Sequence, residues 1–175
     1  LKAGKQITPA TGNAAAKAGD TIAIKDGEMS WTYKELHADS LRLASFLLTH
    51  FKTGDHVAIW GANSAPWILY QMAAAQAGLI LVTLNPALRS AEVEALLRQS
   101  QVIGLITDLE YRGVSMTGII DEIRPSLPHL RDVLLISDWR EHLAAGRDDG
   151  AQVATVSPDD TALILYTSGT TGTPK

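Results

Sequence analysis

HVAIWGANSAPWILYQMAAAQAGLILVTLN, His56 to Asn85, is the stretch on which the fold turns. His56 to Trp60 carries Val, Ala, Ile and Trp in a short apolar run and reads as a buried strand. Gly61, Asn63 and Ser64 interrupt it and open a helix with Pro66 in the first turn, where a missing amide costs nothing. That helix closes at Gly78. Leu79 to Leu84 is then nearly continuous in apolar residues, as expected of a strand covered on both faces, and Asn85-Pro86 breaks it. Strand, helix and strand at this spacing make a βαβ unit, with parallel strands and a right-handed crossover.

The same alternation extends outward. Toward the N-terminus, Thr21 to Lys25 and Met29 to Trp31 flank Asp26-Gly27, a pair that favours a hairpin turn. Thr32 and Glu35 form the T-x-x-E of a capping box, and Leu36, Leu43, Ala44 and Leu47 follow at helical spacing as a core stripe. Toward the C-terminus, Ser90 is the expected cap of a helix carrying Val93, Leu96 and Leu97, with Glu92 and Glu94 near its positive end. Val102 to Thr107 reads as a strand. Met116 to Ile123 reads as a helix stopped by Pro125, and Pro128 restarts an extended segment into Val133 to Ile136. A short helix is expected over Trp139 to Ala145 and an exposed loop over Gly146 to Gln152, with Asp148 and Asp149 solvated. Ser157-Pro158-Asp159-Asp160 is a turn, and Thr161 to Tyr166 is the last strand. No internal repeat is present. The predicted class is α/β: a mostly parallel sheet flanked by helices on both faces, with ligands bound beyond the carboxyl ends of the strands.

The 175 residues are 46% hydrophobic and 19% charged, enough apolar surface for one globular core. A formal net charge of -4 lacks the basic excess that a nucleic-acid partner requires. Cysteine is absent, which excludes disulfides, thiolate metal sites and a cysteine nucleophile. The longest apolar stretch, Ala73 to Leu84, is interrupted by Gln76 and Gly78 and is too short for a transmembrane segment. The N-terminus has lysines but no apolar signal-peptide core, so the reading is a cytoplasmic protein. The first residue is Leu1, as in a processed chain or a piece of something longer.

Chemistry concentrates in TSGTTGTPK, Thr167 to Lys175. Gly169 and Gly172 let the backbone approach an anion, Thr167, Ser168, Thr170, Thr171 and Thr173 offer hydroxyl donors, and Lys175 adds charge. This is what a polyphosphate needs, although glycine and threonine also accumulate in mobile surface loops. A Walker A loop would require a second glycine where Pro174 stands. Ser168 sits in Y-T-S-G rather than G-x-S-x-G, so it does not read as an elbow nucleophile. His37, His50, His56, His129 and His142 show no i, i+4 pairing and have no cysteine companions, so no metal site is proposed.

YTSGTTGTPK, Tyr166 to Lys175, closely resembles the signature phosphate loop of the AMP-forming acyl-CoA synthetases, the superfamily that includes luciferases and the adenylation domains of peptide synthetases. WTYKEL, Trp31 to Leu36, resembles the first core motif of that family, and AAQAGLILVTLNPALRSAEVEALLRQS, Ala74 to Ser100, is similar to its second. The N-P-x-x-R-x-x-E-V wording from Asn85 to Val93 looks most like the fatty-acyl-CoA ligase branch.

The resemblance implies a two-step reaction. ATP and a small-molecule carboxylate give an acyl adenylate and pyrophosphate, and coenzyme A then takes the acyl group. It places Thr167, Ser168, Gly169, Thr170, Thr171, Gly172, Thr173 and Lys175 around the ATP phosphates. It also implies that residues 1–175 are the N-terminal part of the large AMP-binding domain. The adenine, ribose and Mg2+ ligands, the catalytic residues and a C-terminal lid domain would then lie downstream, and the isolated fragment would be inactive. The alternative is a non-catalytic nucleotide-binding or interaction module that retains the fold. Trp31, Trp60, Trp67 and Tyr70 read as core or as the lining of an acyl tunnel, and WGANSAPW, Trp60 to Trp67, as the border of a substrate channel.

Overall fold

The computed structural model describes residues 8–147, 154–157 and 159–166. It opens with a helix that the sequence did not announce, α1 (Thr8–Ala18), packed against the two helices that follow it. Strands β1 (Ile22–Asp26) and β2 (Met29–Thr32) form the expected antiparallel hairpin, but Asp26 pairs with Met29. The two central residues are therefore Gly27 and Glu28, one position later than expected. Gly27 takes a φ of 57°, the left-handed conformation that a hairpin of this length requires at its first central residue.

Helix α2 (Tyr33–His50) starts on a reciprocal capping box. The Thr32 hydroxyl accepts from the Glu35 N–H at 3.2 Å, and the Glu35 carboxylate accepts from the Thr32 N–H at 2.8 Å. Its Leu36, Leu43, Ala44 and Leu47 are buried, as their spacing demands. Strand β3 (His56–Trp60), helix α3 (Ala65–Gln76) and strand β4 (Ile80–Leu84) realise the βαβ unit. Ser64 caps α3 through its hydroxyl, and Gly78 turns the chain back at a φ of 65°.

Helix α4 (Ser90–Gln99) differs from expectation at its start. Ser90 is the first helical residue and Arg89 the cap; Glu92 satisfies the Arg89 N–H at 3.0 Å, while the Ser90 hydroxyl points to Glu122. The carboxylate half of a capping box is sufficient without a cap hydroxyl. Strand β5 (Gly104–Thr107) is followed by a small hairpin, β6 (Glu110–Tyr111) and β7 (Val114–Ser115), where a loop had no predicted structure. Its turn residues Arg112 and Gly113 both have positive φ, 50° and 76°. Helix α5 (Met116–Ile123) ends as expected, but Arg124 to Ser126 add a 3-10 turn through Pro125, whose fixed φ tolerates it. Strand β8 (Asp132–Leu135), helix α6 (Trp139–Ala145) and strand β9 (Leu163–Leu165) complete the described chain. The expected loop from residue 148 to 152, with Asp148 and Asp149, lies outside the described residues.

Among the described residues one five-stranded sheet, ordered β8-β5-β3-β4-β9, is parallel throughout. Chain direction across the sheet reverses between β4 and β5 and again between β8 and β9. At each reversal the connecting helix changes face, as a constant crossover hand requires. Helices α2, α3 and α6 therefore cover one face and α4 and α5 the other. The strands alternate accordingly. Val57 and Ile59 join one core cluster with Leu43, Leu69 and Ile106, whereas Ala58 and Trp60 join the second with Val82, Val93 and Ile120. A layer of helix on each side of a parallel sheet is the predicted architecture. Close packing is most evident at Gly104, where an added Cβ would sit 2.2 Å from the buried Phe51 ring. No helix among the described residues is long and apolar enough to cross a membrane.

Candidate functional site

Strands β3, β4 and β5 end level, with Trp60 opposite both Leu84 and Thr107, so the loops that follow them open on one edge of the sheet. There a cleft of about 610 Å³ lies between the segment after β3, the Asn85-Pro86 break after β4, and the end of β9. Gly61, Asn63 and Trp67 form one wall, and Asn85, Tyr111, Leu165 and Tyr166 line the rest. Among the described residues that line it, none is charged. These residues offer side-chain amides, phenols and apolar surface, which suits an uncharged ligand portion.

Backbone hydrogen bonds fix the first wall. The Ala62 N–H donates to Asp108 Oδ2 at 2.7 Å, the Ala65 N–H to Asp26 Oδ2 at 2.9 Å, and the Trp67 N–H to the Ser64 hydroxyl at 3.2 Å. Burial pushes the Asp108 carboxyl above the usual carboxylate range, and the Ala62 bond opposes that shift. Across the sheet edge, the Trp60 indole N–H donates to the Asn85 carbonyl at 3.0 Å, tying the end of β3 to the end of β4. Asn85 also accepts the Ala87 N–H through its own side chain at 2.9 Å, which holds the chain break in an Asx turn.

The aromatic candidates separate in the structure. Trp31, Trp60 and Tyr70 are buried in the core, at 8%, 1% and 0% exposure, and only Trp67 of that group lines the cleft. WGANSAPW does border a cavity, through Gly61, Ala62, Asn63 and Trp67. The phosphate-loop candidates Thr167, Ser168, Gly169, Thr170, Thr171, Gly172, Thr173 and Lys175 lie outside the described residues. Their immediate predecessor, Tyr166, is on the cleft wall. Among the described residues no three histidine, cysteine or acidic side chains gather as a metal site. His56 bonds the Ser100 carbonyl, and His142 is half-buried, its ring stacked on Phe46 at 4.4 Å and its Nδ1 2.5 Å from the Tyr70 hydroxyl.

Asp108 and Tyr111 were not singled out by sequence, and Asp26 was read only as a turn residue. A single aspartate after a strand carries no motif, and the hairpin that presents Tyr111 has strands of two residues each.

Comparison with known proteins gives these features a setting. The family model for the AMP-binding enzyme matches residues 12–175. The mitochondrial medium-chain acyl-CoA ligase ACSF2 of Rattus norvegicus is 33% identical over 183 aligned positions, which take in 89% of this chain and 30% of that protein. The inhibitor-bound N-terminal domain of FACL13 from Mycobacterium tuberculosis superposes with a TM-score of 0.85 at 27% identity, covering 98% of this chain and 43% of that one. The anthranilate CoA ligase AuaEII in complex with anthranoyl-AMP shares the fold, with a TM-score of 0.86 at 20% identity over 99% of this chain and 33% of that one. The chain thus spans about a third of the length of the curated relatives it matches. With a parallel sheet that opens a cleft at its carboxyl edge, and a family match over nearly its whole length, the chain belongs to the AMP-binding enzyme family of adenylate-forming proteins.

Proposed function

We propose that this chain is the N-terminal part of the large domain of an ATP-dependent acyl-CoA ligase acting on a carboxylate of the fatty-acid class. The observation that carries the reading is the place of Tyr166. This residue lines an uncharged cleft at the carboxyl edge of the sheet, and the hydroxyl- and glycine-rich sequence Thr167 to Lys175 begins at the next position.

In this reading a carboxylate oxygen of the substrate attacks the α-phosphorus of ATP. A new O–P bond forms, the bond to the bridging oxygen breaks, and pyrophosphate leaves with the electron pair. The thiol sulfur of coenzyme A then attacks the acyl carbon, loses its proton, and AMP departs. Charge accumulates on the leaving pyrophosphate, where hydroxyl donors from Ser168, Thr170, Thr171 and Thr173 and the ammonium of Lys175 would stabilise it. Gly169 and Gly172 would give that segment the backbone freedom to grip and then release the phosphates. The described lining of the cleft, being uncharged, would suit an acyl chain or thiol arm. Magnesium bound with the phosphates would supply further neutralisation of their charge; among the described residues no three histidine, cysteine or acidic side chains gather.

Carboxylate-dependent exchange of labelled pyrophosphate into ATP, run on the product of the complete reading frame across a series of fatty acids, tests the proposal. Exchange that requires one chain-length class supports it. No exchange with any carboxylate, in protein that binds ATP, would favour a non-catalytic nucleotide-binding module instead.

A further inference from the structure

We infer that Asp108 is a positioning residue of the cleft: its carboxylate, acting through the backbone of Gly61 to Ser64, fixes the wall that meets the substrate. The inference rests on the ligase reading, which says what the cleft holds.

The geometry assigns this role from both sides of the contact. Asp108 follows β5 and Ala62 lies two residues beyond β3, and these strands are neighbours in the sheet. The carboxylate therefore reaches across one strand spacing to the Ala62 N–H, at 2.7 Å. Gly61 leaves the room it needs. A Cβ there would stand 2.7 Å from Asp108 Oδ2 and 2.7 Å from Ile136 Cδ1. On the other side of the turn, Asp26 takes the Ala65 N–H from a hairpin remote in sequence. Two carboxylates from different elements thus tie both ends of the segment between Trp60 and Ala65. Asn63, between these ties, makes no side-chain hydrogen bond among the described residues and lines the cleft together with Trp67.

The test compares Asp108→Ala and Asp108→Asn in the product of the complete reading frame, with octanoate, coenzyme A and ATP varied separately. For Asp108→Ala, KM for octanoate or for coenzyme A should rise on the order of tenfold while kcat and KM for ATP stay within about twofold, and Asp108→Asn should recover most of the loss. A uniform change in all three KM values, a fall in kcat alone, or no recovery by asparagine would overturn the assignment. A second readout does not depend on catalysis. Hydrogen exchange at the Ala62 amide in the 175-residue chain should accelerate at least about tenfold in Asp108→Ala and keep its protection in Asp108→Asn; unchanged exchange in Asp108→Ala would also overturn it. Should Asp108→Ala fail to fold, Asp108→Ser, too short to span to Ala62, replaces it in both measurements. If the parent protein shows no exchange with any carboxylate, the ligase reading fails while the Ala62 measurement still decides whether Asp108 holds the wall.

Discussion

Replacing Gly61 with alanine should damage the cleft and the fold together, by an amount that the structure sets. The new Cβ would lie 2.7 Å from Asp108 Oδ2, 3.0 Å from its Cγ and 2.7 Å from Ile136 Cδ1, whereas ordinary contact begins at 3.4 Å. Ile136 is buried at 4% exposure, and Asp108 is held by the Ala62 N–H, so neither is a free side-chain end that can swing aside. Overpacking of this kind costs about 1–3 kcal/mol. A displaced carboxylate also forfeits a charge-assisted hydrogen bond, worth about 1.5–3 kcal/mol. The two terms share one displacement and do not simply add, so a loss of about 3 kcal/mol is expected. For a chain of this size that corresponds to a fall in Tm of roughly 6–12 °C. Urea denaturation of Gly61→Ala, Asp108→Ala and the double variant gives the decisive comparison. With the carboxylate gone, Gly61→Ala retains only its clash with Ile136, so the double variant should be more stable than the sum of the singles by about 1 kcal/mol or more. A Gly61→Ala protein within about 0.5 kcal/mol of the parent, or a cycle with no coupling, would refute the reasoning.

Two further outcomes follow from packing and titration. Gly104→Ala drives a Cβ to within 2.2 Å of the Phe51 ring inside the sheet layer and should cost about 2–3 kcal/mol, with partial relief in a Gly104→Ala, Phe51→Leu double variant, both read by urea denaturation. The His142 pKa is lowered chiefly by burial, with Asp138 and Glu141 opposing and His50 assisting. The unfolded chain therefore takes up the proton first, so stability is full above the ordinary value of 6.5 and declines as pH falls below it. Denaturation midpoints at about pH 7.5 and 5.5 should differ in that sense, and His142→Phe should flatten the difference.

Legibility in the sequence followed the physics of each element. His56 to Trp60, Met116 to Ile123 and Trp139 to Ala145 have the bounds that apolar runs, Pro125 and the glycine at 146 dictate. The helix Thr8–Ala18 gave no sign because its alanines, Gly12 and Asn13 carry no apolar stripe; packing against α2 and α3 stabilises it instead. The hairpin after β5 stayed hidden because Arg112 occupies a left-handed position usually taken by Asn or Gly. Ser90 drew the cap assignment on residue type, while the Glu92 carboxylate decided the actual start. Of the candidate site, the hydroxyl- and glycine-rich motif from Thr167 to Lys175 stands as an expectation of sequence, and it lies outside the described residues. The cleft is not legible in the sequence, because Asn63, Asn85, Tyr111 and Tyr166 converge only through the strand order, and one sequence does not reveal that order.

The central claim is that the sequence from Thr167 to Lys175 grips the triphosphate of ATP as pyrophosphate departs. The most direct measurement is the rate of acyl-adenylate formation, with ATP saturating, in the product of the complete reading frame carrying Thr170→Ala, Thr171→Ala and Lys175→Ala together. The account predicts a loss of at least about a hundredfold, the scale on which single electrostatic donors act in such steps. An undiminished rate in that triple variant would contradict it.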